Sequence, residues 1–434
     1  MNLNSAVRGP ALIGLLSLAL MAAPRSSDAG PLEEFGFGAR PSAMAGAFTA
    51  YASGPEATYY NPGALILSHH LNMLAGFSFA DYQLEFDSQN GSFDDEAERI
   101  DDLSAFNLGF STTIPFRDEP HRFAVGLSFF LPSRNVGRIT ARAPTTRPEF
   151  SQYGKRQDRI QAYLAGALKV TDTLFVGAGF QFFADAKGRA DVDAASGIGV
   201  SEFDFDLSGD ISPVFGVYYM PTDNFTIGAT YRGEISFKLD FDVTAFGAIP
   251  AASIEVITLF NPDQYAVGVS WNPTDSLFFA LDVTYLAYSS FRDPFLSNNG
   301  SREVLAFDDI VVPRLGVEYF LTEDYNLALR GGIFYRPSPV PEQDGNRNLI
   351  DSDKLVLCSG VGYTFTLDDP ELRSDQVGSA DPVTITVNLL AQLHLHDKIS
   401  VSKSIATATN DAVGQRFEAG GTIANLGLDV VVKF

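Results

Sequence analysis

Four arginines lie on the polar side of segments in which apolar and polar residues alternate: Arg159, Arg232, Arg314 and Arg330. A guanidinium on such a face can bind the carboxylate of an anionic ligand, because a buried anion needs a charged or multiply hydrogen-bonded partner. A buried arginine more often pairs with an acid nearby, as Glu318 on the same face would allow for Arg314. Arg330 has no acid at the adjacent positions of its own face. We therefore expect Arg330 first, and Arg314 and Arg159 after it, to bind a ligand.

Residue types that support catalysis are present but are not arranged for it. His394 and His396 alternate with leucines, and no Gly-X-Ser-X-Gly motif or Ser–acid pair accompanies them. The single cysteine, Cys358, permits no internal disulfide and lies in an apolar segment, which predicts a packing role. No stretch has metal-ligand spacing. We expect no catalytic residue, no metal and no cofactor, and a lipase is the enzyme alternative that these histidines do not support.

The arginines must be positioned by β-strands, and the last nine residues indicate which kind. In LGLDVVVKF, apolar residues occupy every second position from Leu426 to Phe434, and Gly427, Asp429 and Lys433 lie on the other face. A period of two is that of a β-strand. One apolar and one charged face, ending on an aromatic, are typical of the closing strand of an outer-membrane barrel, whose apolar face meets lipid.

Short and long connections alternate along the chain. Four short ones have nearly the same composition: 171–174 (TDTL), 222–225 (TDNF), 274–277 (TDSL) and 322–325 (TEDY). Asp, Asn and Ser favour tight turns because they hydrogen-bond their own backbone. Longer polar connections lie between them: 186–201, 241–253 and 291–302. An antiparallel meander places all short turns at one end and all long loops at the other, as outer-membrane barrels do.

Segments with a period of two from residue 70 onward predict about fourteen strands. Several exceed twelve residues, whereas strands of soluble proteins usually have about 5–6, and this difference disfavours a soluble β-sandwich. Aromatics near the strand ends fit an interfacial girdle: Tyr218, Tyr219, Tyr319, Phe320 and Phe365. The sequence thus predicts an all-β fold, a transmembrane antiparallel β-barrel of about 14 strands over residues 70–434.

The first 29 residues have the pattern of a secretory signal peptide. Arg8 supplies positive charge, residues 11–23 are a continuous apolar run, and small residues precede two candidate cleavage positions, after Ala29 or after Ala23. The net charge of −23 argues against nucleic acid as a partner, because phosphate binding requires the opposite sign. Export and a lipid-facing barrel together predict the bacterial outer membrane as the location and its lipid as a partner.

Residues 30–69 lack the period of two and are rich in Gly and Ala. They also contain more large apolar side chains than a disordered linker holds. Small residues beside aromatics favour close packing, and the barrel lumen is the cavity available for it. We expect this segment to form a plug, or hatch, inside the lumen. Its candidate gating residues are Asn61, Pro62, Gly63, Phe35 and Phe37.

Three stretches of this segment carry a family resemblance: 37–40 (FGAR), 43–48 (AMAGAF) and 59–65 (YYNPGAL). They resemble the N-terminal signature of the FadL/TodX family, whose members are outer-membrane transporters of long-chain fatty acids and other hydrophobic molecules. The family usually has Asn-Pro-Ala-Gly where this chain has Asn-Pro-Gly-Ala, so we expect a slightly different turn geometry. Only Asn61 and Pro62 are matched to the hatch turn of the family.

The resemblance implies a transport function. External loops would capture a hydrophobic molecule, an apolar pocket above the plug would hold it, and a gap in the side wall would release it into the membrane. The expected activity is passive, plug-gated uptake of fatty acids or other hydrophobic small molecules by a monomer. Two alternatives stay open. The same signature resembles barrels that serve as adaptors for protein secretion or surface attachment, and a general diffusion porin would not need a plug.

Overall fold

The computed structural model describes these residues of the chain: 30–68, 71–88, 100–116, 119–133, 149–153, 159–193, 199–243, 252–296, 302–321, 324–342, 349–367, 382–402 and 416–434. The expected signal peptide, residues 1–29, lies outside these ranges. Within them, no helix is both long enough and apolar enough to cross a membrane.

The described residues form twenty strands, which in chain order are β1 (Asn72–Ser88), β2 (Leu103–Phe116), β3 (Glu119–Pro132), β4 (Glu149–Phe150), β5 (Gln161–Lys169), β6 (Leu174–Asp193), β7 (Gly199–Thr222), β8 (Phe225–Arg232), β9 (Ile235–Val243), β10 (Ala252–Asn261), β11 (Gln264–Thr274), β12 (Leu277–Leu286), β13 (Arg292–Leu296), β14 (Arg302–Ala306), β15 (Ile310–Phe320), β16 (Leu327–Arg336), β17 (Leu349–Ile350), β18 (Lys354–Leu367), β19 (Val383–Ser402) and β20 (Arg416–Lys433). Fourteen of them close into one antiparallel barrel in the order β1-β2-β3-β5-β6-β7-β8-β11-β12-β15-β16-β18-β19-β20. Closure is made by β1 and β20, which pair from Asn72–Lys433 to Ser88–Phe417. The predicted barrel of about 14 strands is confirmed.

The barrel is apolar outside and polar inside. In β20, Leu426 and Leu428 are 58% and 45% exposed, whereas Asn425 and Asp429 are each 1% exposed. A water-soluble protein would have the opposite arrangement. Lipid as the external solvent explains it, because apolar side chains lose nothing by facing hydrocarbon. The two faces predicted for the closing strand are confirmed.

The predicted girdle is confirmed only in part. Tyr319 and Phe365 are 44% and 49% exposed on the outer surface. Tyr218 is buried instead, so its assignment to the girdle is wrong. The reason is the alternation within β7, where Val217 faces outward and Tyr218, one residue on, faces the lumen.

The predicted tight turns are confirmed where the structure describes them. Asp223–Asn224 joins β7 to β8, and Asp275–Ser276 joins β11 to β12. The first turn ends with a hydrogen bond from the Leu174 N–H to Thr171 Oγ1 (3.0 Å). The fourth turn is described only from residue 324 onward.

The long connections are only partly loops, which corrects their prediction as polar loops. β6 and β7 remain paired up to Asp193 and Gly199, within the connection 186–201. The other two connections overlap the hairpins β9–β10 and β13–β14, which extend beyond the predicted bounds and pair apart from the barrel. Antiparallel pairing continues beyond the apolar band because backbone hydrogen bonds do not depend on side-chain polarity.

Residues 225–237 alternate between apolar and polar types but do not form one strand: β8 ends at Arg232, and β9 pairs with β10 apart from the barrel. Ile235, the first residue of β9, is fully buried in the same apolar cluster as the N-terminal residues. At the end of β10, Asn261 Oδ1 accepts a hydrogen bond from the Gly30 N–H (3.2 Å). The β9–β10 hairpin therefore begins and ends against the N-terminal part of the chain.

Residues 30–68, here called the N-terminal segment, contain short helical pieces only: α1 (Pro31–Phe35), α2 (Ala39–Ala43), η1 (Gly54–Glu56), α3 (Ala57–Tyr60) and η2 (Pro62–Leu67). Pieces of this length are not stable in isolation. They are held by hydrogen bonds to strands all round the barrel, namely β3, β7, β8, β11, β12, β15, β19 and β20. These contacts agree with the expected position inside the lumen, and the division into signal peptide, plug and barrel stays a prediction.

Inward-facing glycines of adjacent strands make room for the N-terminal segment. Three cross-strand pairs do so: Gly177–Gly216, Gly228–Gly268 and Gly316–Gly332. A Cβ added at Gly177 would lie 2.3 Å from the carbonyl carbon of Pro62, and one at Gly332 would lie 2.6 Å from the amide nitrogen of Ala45. Backbone atoms cannot yield to such contacts, so the wall admits the segment only where side chains are missing.

Candidate functional site

The Asn61-Pro62-Gly63 turn is docked on the barrel wall. Asn61 is completely buried, and its Oδ1 accepts a hydrogen bond from the Gly63 N–H (3.0 Å). Its Nδ2 donates to the carbonyls of Thr49 (2.7 Å) and Val217 (2.9 Å). One amide thus joins the turn to a second part of the N-terminal segment and to β7. The turn is a firm anchor, and a gating role for it stays a prediction.

Phe35 and Phe37, the two aromatic residues expected to gate the lumen, are both buried. The Phe35 ring lies 5.2 Å from that of His394 on β19, measured between ring centroids. The Phe37 N–H donates to the Tyr60 hydroxyl (3.0 Å), and its ring packs 6.2 Å from that of Tyr59. Phe37 therefore packs within the segment, and Phe35 packs the segment against the wall; a gating role for either stays a prediction.

A buried ion-pair network joins the N-terminal segment to β15 and β16. Both carboxylate oxygens of Glu318 accept from Arg40, at 3.0 and 2.9 Å, and Tyr51 donates to the same carboxylate (2.6 Å). Arg330 donates to it as well (2.6 Å). The expectation that Arg330 lacks an acidic partner is wrong, because its partner lies across the strand pair: Glu318 and Arg330 are opposite each other in the ladder. The expected Arg314–Glu318 pair does not form.

The same network reaches the closing strand. Arg330 also donates to Asn388 Oδ1 (2.8 Å), and Asn388 Nδ2 donates to Asp429 Oδ1 (2.7 Å). The other oxygen of Asp429 accepts from the Ala39 N–H (2.5 Å) at the start of α2. The single acid on the polar face of the closing strand therefore holds the N-terminal segment.

A second buried ionic group surrounds Glu34 in α1. Lys354 Nζ lies 2.9 and 3.0 Å from its two oxygens, and Arg336 Nε lies 3.3 Å from Oε1. Burial opposes the charged carboxylate, but Arg336 and Lys354 outweigh it and hold the pKa of Glu34 at about 2. Arg336 is itself 1% exposed and donates to the Tyr288 hydroxyl (2.6 Å). Tyr288 begins a short 3₁₀ helix, η3 (Tyr288–Ser290).

A cavity of about 60 Å³ remains between the N-terminal segment and the wall. Arg314 lines it, donates to the Ala45 carbonyl (3.0 Å) and lies 4.5 Å from the centroid of the Phe334 ring. Within the described residues, no carboxylate lies within ion-pair distance of Arg314. Arg314 thus lines the cavity without an ion-pair partner among the described residues, and its role in ligand binding stays a prediction.

Glu33 also lines the cavity, beside Glu34 in sequence but in a different environment. Neither of its buried carboxylate oxygens has a hydrogen-bond partner. Burial raises the pKa of Glu33 to about 7, although Arg336 and Arg232 oppose the shift. The two adjacent glutamates thus have opposite pKa shifts, because only Glu34 has cations in direct contact.

The two other arginines are buried. Arg159 lies just before β5 and is 5% exposed. Arg232 donates to the Tyr59 carbonyl (2.6 Å) and to Gln264 Oε1 (3.0 Å), and its guanidinium lies 4.1 Å from the Tyr59 ring centroid. Neither Arg40 nor Glu34 was predicted from the sequence as a functional residue, although Arg40 lies within the stretch 37–40 that carries the family resemblance, and Glu318 was expected only as a partner of Arg314.

These contacts determine what the lumen can do. The cavity has room for only a few water molecules. A solute passing along the axis beside these contacts would have to displace the N-terminal segment.

Comparison with known proteins identifies the family. The family model described as outer membrane protein transport protein (OMPP1/FadL/TodX) matches residues 18–380. The chain belongs to the FadL/TodX family. Its location is accordingly the bacterial outer membrane, as the apolar barrel surface requires, and the family transports fatty acids and other hydrophobic compounds.

Individual relatives are more distant. Alkane uptake protein A of Marinobacter nauticus is 26% identical over 344 residues, which are 71% of this chain and 74% of that protein. The long-chain fatty acid transport protein of Escherichia coli K12 is 24% identical over 173 residues, which are 38% of this chain and 33% of that protein.

Solved structures support the fold. A Pseudomonas aeruginosa FadL homologue has a TM-score of 0.58 at 15% identity and covers 95% of this chain and 99% of its own. The Pseudomonas putida toluene transporter TodX has a TM-score of 0.53 at 14% identity, with 92% and 99% covered. At these identities the likeness concerns the fold alone.

Proposed function

We propose that this protein takes up hydrophobic small molecules, long-chain hydrocarbons and fatty acids, by passive diffusion through a plugged barrel, and that it is not an enzyme. The observation that carries the proposal is the N-terminal segment, whose hydrogen bonds to strands around the barrel support a plug in the lumen. An open pore would not help such solutes, because each methylene costs about 0.8 kcal/mol on transfer to water. A dry passage between the membrane and the lumen would help them, because it avoids this transfer to water.

The charges inside the barrel support a choice of substrate class. The described lumenal cations Arg40, Arg330, Arg336 and Lys354 have carboxylate partners. An uncharged chain such as an alkane needs no cation, and the similarity to an alkane uptake protein supports this class. Fatty acids are the second class, with Arg314 as the cation that meets the carboxylate, and Arg330 and Arg159 as weaker candidates.

We propose residues 30–69 as the plug, with Asn61, Pro62 and Gly63 as its anchoring turn and Phe35 and Phe37 as its internal packing. We further propose that one barrel acts alone as a monomer. The wall contacts of Asn61 and Arg40 support the plug assignment.

Uptake of radiolabelled hexadecane, oleate and sucrose tests the proposal in a host that lacks its own transporter. Hexadecane or oleate uptake above that of the host, with sucrose unchanged, is the expected result. Sucrose uptake would indicate a diffusion porin. No uptake of any of the three, with the barrel correctly inserted, would overturn the proposal and favour the protein-adaptor alternative.

A further inference from the structure

Glu33 is a buried acid to which no described residue donates a hydrogen bond. Its side chain lines the same cavity as Arg314, and both of its carboxylate oxygens are without a partner. Asp282 of β12 lines this cavity too, but its Oδ2 accepts from the Thr49 N–H (2.8 Å). A buried carboxyl group without a donor is costly. The position of Glu33 therefore suits a donor or a proton that a ligand would bring into the cavity.

Two arginines of the cavity have only uncharged partners. Arg232 and Arg314 both line it, and neither forms an ion pair within the described part of the chain. Arg232 donates to the Tyr59 carbonyl (2.6 Å), and Arg314 donates to the Ala45 carbonyl (3.0 Å). The cavity thus presents two cations to which an anionic group can bind.

The charges of the cavity admit a ligand carboxylate only if a proton accompanies it. The two arginines are balanced by Glu33 and Asp282 when all four groups are ionised. The neighbouring ionic group is balanced by itself, with two acids and two cations: Glu34, Asp351, Arg336 and Lys354. A ligand carboxylate would be a third anion against two arginines, and an uncompensated buried charge is costly. Two carboxyl groups in one site avoid this cost by sharing one proton.

Glu33 is the carboxyl group of the cavity that most readily takes this proton. Burial raises its pKa to about 7, although Arg336 and Arg232 oppose the shift. Asp282 instead accepts from a backbone N–H, which favours its ionised form. The titratable and charged groups that face Glu33 come from its own segment and from five strands: Glu34, Tyr59, Tyr163, Arg232, Asp282, Arg314 and Arg336. None of them donates a hydrogen bond to it.

Apolar side chains adjoin the cavity on one side. Leu286 and Phe334 line it and also belong to a buried apolar cluster with Phe260, Phe291 and Phe307. The cavity of about 60 Å³ has room for a carboxyl group but not for a long chain. A fatty acid whose head group lies between Arg314 and Glu33 would therefore place its chain against this apolar cluster.

We propose that Glu33 is a head-group residue for fatty acids, whose carboxyl group binds the ligand carboxylate through one shared proton, with Arg314 as the countercation. This inference rests on the fatty-acid class of the proposed function. The Glu33 O–H donates to one oxygen of the ligand carboxylate, and Arg314 donates to the other. Where Glu33 is ionised before binding, the shared proton comes from the solvent. Binding of a fatty acid then takes up a proton, whereas binding of an alkane or an alcohol takes up none.

The number of protons bound with the ligand tests the proposal. It is measured by isothermal titration calorimetry of the purified protein in detergent, repeated in buffers of different ionisation enthalpy. Dodecanoate, which is ionised under these conditions, is compared with 1-dodecanol, which has the same chain length and no charge. At about pH 8 most of the free Glu33 is ionised, so the wild type should take up more than about half a proton per dodecanoate and none with dodecanol.

Glu33→Gln assigns the proton to this residue, and Glu418→Gln, which does not line the cavity, is its matched control. Dodecanoate should bind without proton uptake to Glu33→Gln, whose amide donates a hydrogen bond but binds no proton, and with the uptake of the wild type to Glu418→Gln. Undiminished uptake in Glu33→Gln would overturn the role of Glu33. If that variant does not fold, the wild type alone decides, because equal uptake with dodecanoate and dodecanol, or none with dodecanoate, would overturn it too. Absence of hexadecane and oleate uptake by cells would instead overturn the transport function itself.

Discussion

Gly177 of β6 and Gly216 of β7 are direct cross-strand partners, and together they leave the space that Pro62 and Gly63 fill. A Cβ at Gly216 would lie 2.2 Å from Asn61 Oδ1 and 3.0 Å from the Gly63 nitrogen. The wall and the N-terminal segment are therefore in close atomic contact at this point. A substitution in either one would disturb the packing site of the Asn-Pro-Gly turn, here called the turn seat.

We expect Gly216→Val to displace the turn, because added volume in a packed site costs about 1–3 kcal/mol and the new side chain would overlap Asn61 Oδ1 and the Pro62 ring. The purified variant should open ion-conducting channels in planar bilayers that the wild type lacks. Gly331→Val is the matched control, since nothing lies within 4 Å of a Cβ at Gly331. Equal conductance in Gly216→Val and Gly331→Val would contradict the claim that Gly216 makes room for the turn.

Removal of the Glu318 carboxylate should loosen the N-terminal segment more than removal of an exposed acid. Glu318→Gln leaves Arg40 and Arg330 without their shared partner, and breaking a buried ion pair costs about 3–5 kcal/mol. The control variant is Glu418→Gln. Glu418 pairs with Lys398, whose side chain is 74% exposed, and such exposed ion pairs contribute at most about 1 kcal/mol. Protease cleavage within residues 30–68 should accelerate in Glu318→Gln only. Similar rates in both variants would show that the network does not hold the segment.

The seating of the segment should weaken as pH rises from about 4.5 to about 7. When the segment is seated, the pKa of Glu33 is about 7, so its carboxyl group is protonated in this window. When the segment is released, the pKa returns to its ordinary value of 4.5 and the carboxyl group loses the proton. The seated state then binds more protons, so its stability falls with rising pH and levels off above 7. Protease sensitivity of the wild type should therefore increase from pH 5 to pH 8, and less so in Glu33→Gln. A Glu33→Gln profile that rises as steeply would show that another group is responsible.

Arg314→Gln should weaken oleate binding without affecting hexadecane. A hydrogen bond to a charged group contributes about 1.5–3 kcal/mol, so the affinity for oleate should fall about tenfold to a hundredfold. Arg330→Gln is the comparison, since its guanidinium is already engaged by Glu318 and Asn388. Competition against a fluorescent fatty acid measures both. Unchanged oleate affinity in Arg314→Gln would exclude it as the carboxylate partner.

The barrel could be predicted from sequence because its determinants are local. Period-two alternation fixes the two faces of each strand, and the repeated Thr-Asp turns fix the connections at one end. The end of β8 at Arg232 is not marked within its own alternating segment, because Pro213, beside which the β7–β8 ladder ends, lies on a different strand.

The lumenal contacts could be predicted only in part because they depend on register. Glu318 and Arg330 are twelve positions apart and become opposite partners only when β15 and β16 pair. The paired glycines that make room for the segment could have been predicted from the sequence. Gly316 and Gly332, for example, both fall on lumenal positions of adjacent strands. Period-two analysis ignores glycine because it has no side chain to assign to a face.

The central claim is that the N-terminal segment fills the barrel, and cysteine accessibility tests it most directly. In a Cys358→Ser background, Ala47→Cys marks a completely buried position in the segment, and Asp223→Cys marks an exposed turn. Labelling of the folded protein in detergent with a large hydrophilic maleimide should modify the turn at once and position 47 only after denaturation. Equal labelling rates at both positions in the folded protein would contradict the account.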